Sequence, residues 1–198
     1  MYRILLGCFG LVYLTAPAWA AVTPLQYTQS TLEQARAIVD SDQTHNEQLA
    51  ALSALMKNFL DTDAIGRAAL GPNWAKLTPA QQKEFLTLFH ELFQRTYVEK
   101  LLLFDKPTFG YVGEKRVGDT ARVDTKIITP RDEFTVTYQL RAQGDHWLAT
   151  DIQIEDLSLT ANFRTQLARL LSKTSVEGVL GRMRKKYGPG GAGGEGAL

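Results

Sequence analysis

Residues 86–104, Leu-Thr-Leu-Phe-His-Glu-Leu-Phe-Gln-Arg-Thr-Tyr-Val-Glu-Lys-Leu-Leu-Leu-Phe, contain no proline or glycine, and eleven of the nineteen are apolar or aromatic. Upstream, Thr78-Pro79 supplies a helix start: a threonine N-cap, then proline at the first helical position, where a backbone N–H is not needed. At about 100° per residue, Leu86, Leu88, Phe89, Leu92, Phe93, Tyr97, Leu101, Leu103 and Phe104 fill an arc of roughly 220°. An ordinary surface helix shows an apolar stripe a little over 100° wide. Glu91, Gln94, Arg95 and Glu99 crowd the remainder. Such a helix needs apolar neighbours on two sides. Either it is wedged between a sheet and other helices, or it faces packed core on one side and an oily cavity on the other. Periodicity alone favours the first, because an empty cavity costs on the order of 24 cal/mol per Å³. His90 falls inside the arc and reads as a core histidine with its polar atoms satisfied.

The rest of the chain offers partners for that helix. In the N-terminal half, Ser30 and Glu33 fit a capping box, followed by Leu32, Ala35, Ile38 and Val39 at helical spacing. A polar break, Asp40 to Asn46, precedes a second helix with Leu49, Leu52, Leu55, Met56, Phe59 and Leu60. A short helix over 63–70 stops at Gly71-Pro72. After residue 105 the period changes from helical to two. Ala121, Val123, Thr125 and Ile127 alternate with charged residues, and Phe134, Val136, Tyr138 and Leu140 alternate with polar ones, the pattern of half-buried strands. Turn signals at Gly118-Asp119, Pro130-Arg131-Asp132 and Gly144-Asp145, with flanking strands at 109–117 and 146–154, predict a four-stranded antiparallel meander. Helices follow near Ser158 and over 176–186. Helices, then a sheet, then helices again imply an α+β fold with helices covering one face of the sheet.

The ends differ from the middle. Met1-Tyr2-Arg3, an uncharged apolar run from Ile4 to Leu14, and Ala18-Trp19-Ala20 form the pattern of a cleaved secretory signal peptide over residues 1–20. Leu5-Leu6-Gly7-Cys8 resembles a lipid-attachment box, but it sits near the start of the apolar run rather than after it. Cys8, the one cysteine of the chain, leaves with the signal, so the mature domain folds without disulfides. Loss of Arg3 takes the formal charge from +1 to 0, and nothing global points to nucleic acid. One domain over 21–187 is expected, with residues 188–198 a glycine-rich, disordered tail. The basic cluster Arg182, Arg184, Lys185 and Lys186 suits a solvated helix C-terminus and, less directly, anionic lipid headgroups.

Catalytic patterns are sparse. No glycine loop leads into Lys-Ser or Lys-Thr, and no Gly-x-Ser-x-Gly is present. His45, His90 and His146 are far apart with no cysteine to complete a zinc set, so no metal is expected. Asp151, Glu155 and Asp156 form a carboxylate group that reads mainly as turn and cap residues. A general acid/base role for Asp151 or Glu155 with His90 or His146 stays open as an alternative.

Two segments carry a family resemblance. The first is Ala69-Leu70-Gly71-Pro72-Asn73-Trp74, then Leu77-Thr78-Pro79-Ala80-Gln81-Gln82, then Phe85 to Tyr97. The second is Trp147-Leu148-Ala149-Thr150-Asp151-Ile152, Ile154-Glu155-Asp156-Leu157-Ser158 and Asn162-Phe163-Arg164. Over most of residues 28–187 the chain resembles the MlaC, or toluene-tolerance, family of periplasmic lipid-binding proteins, hopanoid-associated relatives included. It departs from the pattern at Asp156, where the family often has glycine. The resemblance implies a curved sheet roofed by helices, an NTF2-like cone enclosing an apolar pocket for acyl chains. It also implies a periplasmic, non-enzymatic carrier of a phospholipid or a hopanoid-like lipid, without a cofactor. That carrier would work between an inner-membrane ABC transporter complex and an outer-membrane partner. The second apolar neighbour of the central helix would then be the lipid. Two acyl chains carry roughly thirty CH₂ groups at about 0.8 kcal/mol each, so a carrier must enclose nearly their whole length. Candidate wall residues are Trp74, Phe85, Phe89, Phe93, Tyr97 and Phe104 from the helix side. Val123, Ile127, Val136, Tyr138, Trp147 and Ile152 are candidates from the sheet, and Phe163 from the last helices. A non-catalytic docking module is the remaining alternative, and it would expose a large apolar patch.

Overall fold

The computed structural model describes residues 22–103 and 107–191. The expected signal peptide, Phe104 and residues 192–198 of the tail lie outside the described residues.

Threonine capping boxes open three of the helices. Helix α1 (Pro24–Val39) starts with the Thr23 hydroxyl accepting from the Gln26 N–H while the Gln26 side chain reaches back to the cap. Helix α2 (His45–Phe59) repeats the device with Thr44 and Glu47. Helix α3 (Thr62–Leu70) is capped by the Asp61 carboxylate and ends at Gly71, whose φ of +56° only glycine adopts freely. After a 3₁₀ turn over Gly71–Lys76, helix α4 (Pro79–Phe93) uses Thr78 and Gln81. Each box satisfies otherwise orphaned N–H groups. The box expected at Ser30 and Glu33 instead lies inside α1. The chain enters the helix earlier, where Thr23-Pro24 combines cap and first-turn proline just as Thr78-Pro79 does.

Helix α4 does not run on to residue 104. A π-helical turn covers Gln94–Val98, then α5 takes Glu99–Leu101, and Leu103 is 78% exposed. The extra residue in a π turn rotates the following side chains by about 100°. Tyr97, inside the turn, still meets Phe93 with ring centroids 5.1 Å apart, but the residues after it leave the stripe set by Phe85, Phe89 and Phe93.

The sheet has strand order β1-β2-β3-β4-β5, all antiparallel: β1 (Thr108–Val117), β2 (Thr120–Ile128), β3 (Glu133–Gln143), β4 (His146–Ile154) and β5 (Leu157–Ser158). Five strands form where four were expected. The fifth is two residues long, too short to show a period, and hangs on a tight turn with positive φ at both Glu155 (48°) and Asp156 (66°). Extra residues at Val112 in β1 and Thr150 in β4 shift the register and bend the strands, so the sheet is curved and open. Register places Val123 opposite Tyr138, Thr125 opposite Val136, and Tyr138 opposite Ile152. This is the face the helices cover. Helix α1 lies over β1 and β2, whereas α2, α3 and α6 (Leu159–Leu171) meet β4. Helix α7 (Val176–Tyr187) packs on α4. The α+β class with helices on one face of a curved sheet agrees with the sequence reading.

The core is a single cluster. Phe85, Leu88, Phe89 and Leu92 of α4 are buried with Ile65 and Ala69 of α3, Phe163 and Leu167 of α6, and Val179, Leu180 and Met183 of α7. Gly66 lets α3 approach closely, since a Cβ there would stand 3.0 Å from Phe89 Cδ1.

Candidate functional site

The apolar arc of the central helix is divided end to end rather than side to side. Its first three turns are enclosed by protein on all apolar sides: Phe85 is 1% exposed, and Phe89 and Leu92 are fully buried. Its last residues open onto a cleft of about 840 Å³. The cleft runs between the C-terminal half of α2 (Ser53, Ala54, Met56, Lys57), the α2–α3 junction (Leu60 to Asp63), Arg67, and the end of α4 with the π turn (His90, Phe93, Gln94, Val98). The β3–β4 hairpin (Arg141, Ala142, Gln143, Leu148) closes the far side. Met56, Leu60, Phe93, Val98 and Leu148 make its floor apolar. Charged side chains gather at its rim.

The rim is held by ion pairs that converge on the first turn of α3. Arg141 donates to Asp61 at 2.6 Å. The Asp61 carboxylate also accepts from the Ala64 N–H at 2.8 Å, and its own N–H donates to the Ala149 carbonyl at 2.9 Å. Asp63 pairs with His90 at 2.8 Å and with Arg67 at 3.5 Å. Asp61 thus ties α3 to the sheet, and Asp63 ties it to α4.

His90 is a correction. It was expected in the core, but its side chain is 48% exposed and engages Asp63. A wheel centred on apolar residues places it inside the arc; the cleft leaves that part of the helix facing water. Among the described residues, His90 makes no hydrogen bond to a hydroxyl or thiol that it could activate. The other proposed acid/base groups are engaged structurally. Asp151 accepts from the Ser158 hydroxyl at 2.6 Å and the Thr160 N–H at 3.0 Å, fixing the start of α6. Glu155 accepts from the N–H and hydroxyl of Thr135. His146 contacts its neighbour Asp145 at 3.2 Å. Among the described residues no group of His, Cys, Asp and Glu could hold a metal ion.

Of the candidate wall residues, Phe93 borders the cleft. Phe85, Phe89 and Phe163 form a buried ring cluster: Phe85 and Phe89 stack with centroids 5.7 Å apart, and Phe163 meets Phe89 edge-to-face at 4.9 Å. Trp74 joins one end, 6.3 Å from Phe85, and Tyr97 the other, 5.7 Å from Phe163. Val123, Val136, Tyr138 and Trp147 are buried on the helix-covered face of the sheet, with Ile127 and Ile152 half-buried beside them. Burial pushes the Tyr138 phenol up, and burial together with the Glu33 carboxylate does the same for Tyr111. Tyr111 donates to Glu33 at 3.0 Å and Trp147 Nε1 to the Val22 carbonyl at 3.1 Å, which ties α1 and its lead-in down over the sheet. Sequence reasoning did not select Met56, Leu60, Val98 and Leu148 as wall. The apolar positions of α2 were visible in the sequence, but the distant segments facing them were not.

Comparison with known proteins agrees with this architecture. No curated protein matches the chain. A phospholipid-binding protein from Ralstonia solanacearum, solved in complex with a phospholipid, shares the fold with a TM-score of 0.71 at 20% sequence identity. The match covers 80% of this chain and 93% of that one. The family model described as MlaC protein matches residues 26–185. The chain therefore belongs to the MlaC family.

Proposed function

We propose that this protein is a lipid carrier. It takes acyl chains against the apolar side chains of the cleft and leaves the polar headgroup toward its charged ones. The observation that carries this reading is the cleft itself: an opening of about 840 Å³ with an apolar floor at the end of an over-apolar helix. That volume lies in the range of ligand sites, roughly 300–1,000 Å³. Membership of the MlaC family supports it, as does the phospholipid bound to the Ralstonia protein of the same fold. Tails leaving a bilayer lose on the order of 20 kcal/mol of burial, so the pocket must hold most of their length. Of the candidate wall residues, Phe93 would line it, while Phe85, Phe89 and Phe163 pack the core beside it. The same reading makes the protein non-enzymatic and periplasmic, exported by residues 1–20. It would exchange a phospholipid, or a hopanoid-like lipid, between an inner-membrane ABC transporter complex and an outer-membrane partner.

The test is direct. Protein purified from the periplasm is extracted with organic solvent and analysed by mass spectrometry, and uptake of labelled phospholipid from vesicles is followed. Stoichiometric membrane lipid is expected. Replacing the partly exposed Met56 by Trp narrows the cleft and should lower both readouts, with circular dichroism showing that the variant folds. A lipid-free extract together with no uptake from vesicles overturns the proposal.

A further inference from the structure

Charge is divided along the chain in a way that the carrier reading does not use. Residues 159–187, the span of α6 and α7, hold seven lysines and arginines against one acidic residue, Glu177. Residues 21–158 hold fourteen against nineteen acidic ones. A molecule close to neutral overall therefore has one strongly basic part. Elsewhere arginines are matched to carboxylates, as Arg67 is to Asp63, Arg122 to Asp124 and Arg141 to Asp61. Within the basic part Arg184 is matched, to Glu84 and Glu177. Arg169, Lys173, Arg182 and Lys185 are exposed, and their side chains make no hydrogen bond or ion pair among the described residues. On α7, helical spacing puts Arg182 and Lys185 on the side away from the buried Val179, Leu180 and Met183. A Cβ at Gly181, beside them, would meet open space. Helix dipoles favour a cation in each last turn, but they do not account for the missing carboxylate partners.

We infer that the outer surface of the α6–α7 pair is a membrane-docking surface, held by charge against anionic phospholipid headgroups. The inference goes beyond the carrier reading and stands without it. Each lysine or arginine close to an anionic lipid surface adds to binding, and an unpaired one does so without first giving up a carboxylate. A protein partner is the poorer fit. Protein interfaces centre on aromatic and apolar anchors, and none of the exposed large apolar side chains among the described residues lies on α6 or α7. Spread-out charge without such an anchor suits a plane of headgroups, and it makes attachment reversible and sensitive to salt. The pair packs on α3 and α4, but no residue lining the cleft belongs to α6 or α7. The docking surface is therefore separate from the cleft.

The experiment is sedimentation of the purified protein with vesicles of phosphatidylcholine alone, or of phosphatidylcholine with about one-third phosphatidylglycerol. The protein should pellet with the anionic vesicles in low salt, stay in solution with the uncharged ones, and be released at ~0.5 M salt. Arg182→Gln combined with Lys185→Gln should weaken partitioning roughly twentyfold, from about fivefold for each cation. Lys115→Gln combined with Arg131→Gln removes the same charge from β1 and the β2–β3 turn, and should weaken it less than about threefold. Circular dichroism melts show that the variants fold. No pelleting with anionic vesicles, equal pelleting with both kinds, an undiminished Arg182/Lys185 variant, or an equal loss in the Lys115/Arg131 variant overturns the docking surface. Retention on immobilised polyglutamate that the Arg182 and Lys185 substitutions abolish, without pelleting, assigns the surface to an acidic polypeptide and overturns the membrane. Uptake of labelled lipid from the uncharged vesicles reads the cleft alone, so the carrier reading and the docking surface fail separately.

Discussion

Phe89→Ala distinguishes packed core from pocket wall. Phe89 is fully buried, stacked 5.7 Å from Phe85 and edge-to-face with Phe163 at 4.9 Å, with α3 pressed against it at Gly66. Removing a ring from such a sealed position loses its transfer energy and leaves a void that rigid neighbours cannot collapse, about 3–5 kcal/mol in total. For a domain of this length, 1 kcal/mol moves the melting temperature by roughly 2–4 °C, so a fall of about 6–20 °C is expected. Phe93, four residues on, borders the open cleft. Water can enter the space its ring leaves, so Phe93→Ala loses mainly the transfer energy, about 2 kcal/mol. Urea unfolding followed by circular dichroism gives both values. It should be run on lipid-stripped protein, because bound ligand adds its own stabilisation. If Phe89→Ala costs less than about 1 kcal/mol, or no more than Phe93→Ala, the ring stack is not a sealed core and the end-to-end division of the helix is mistaken.

Three other outcomes are expected. The phenols of Tyr111 and Tyr138 are held above their ordinary value of 10.0, so they stay protonated in the fold where the unfolded chain ionises. Their contribution is complete below pH 10 and is lost as the pH rises from there through the folded values; Tyr138→Phe should flatten the alkaline decline measured by urea midpoints. Asp61→Ala removes the cap of α3 and the partner of Arg141 together, and should cost about 1–2 kcal/mol, whereas Asp124→Ala, a half-exposed partner of Arg122 on β2, should cost less than about 1 kcal/mol. Asp156→Gly places glycine where φ is +66° and should raise stability by roughly 0.5–1 kcal/mol; a loss on thermal melting would mean that the Asp156 side chain holds the turn.

What could be read without coordinates was local. The Thr78-Pro79 start, the alternation in β2 and β3, and the glycine turns at 118 and 144 depend on residues within a few positions of one another. So does the stop of α3 at Gly71, and each agrees with the structure. The over-wide arc of residues 86–104 was legible as well, since it is a count of side chains on one helix. Its meaning was not. Whether an apolar face meets a side chain or a cleft depends on segments brought from elsewhere: Arg141 reaches Asp61 across 80 positions, and His90 reaches Asp63 across 27. Periodicity records which side of an element avoids water, because burial repeats with the local geometry of the backbone. It holds no record of what stands opposite. In this chain the amino-acid order alone determined the long helices, four of the five strands and the surplus of apolar surface, but not the π turn or the two-residue β5. Only the tertiary structure decided that one end of that surface is sealed by phenylalanine rings and the other opens beneath a charged rim, because those contacts join residues far apart along the chain.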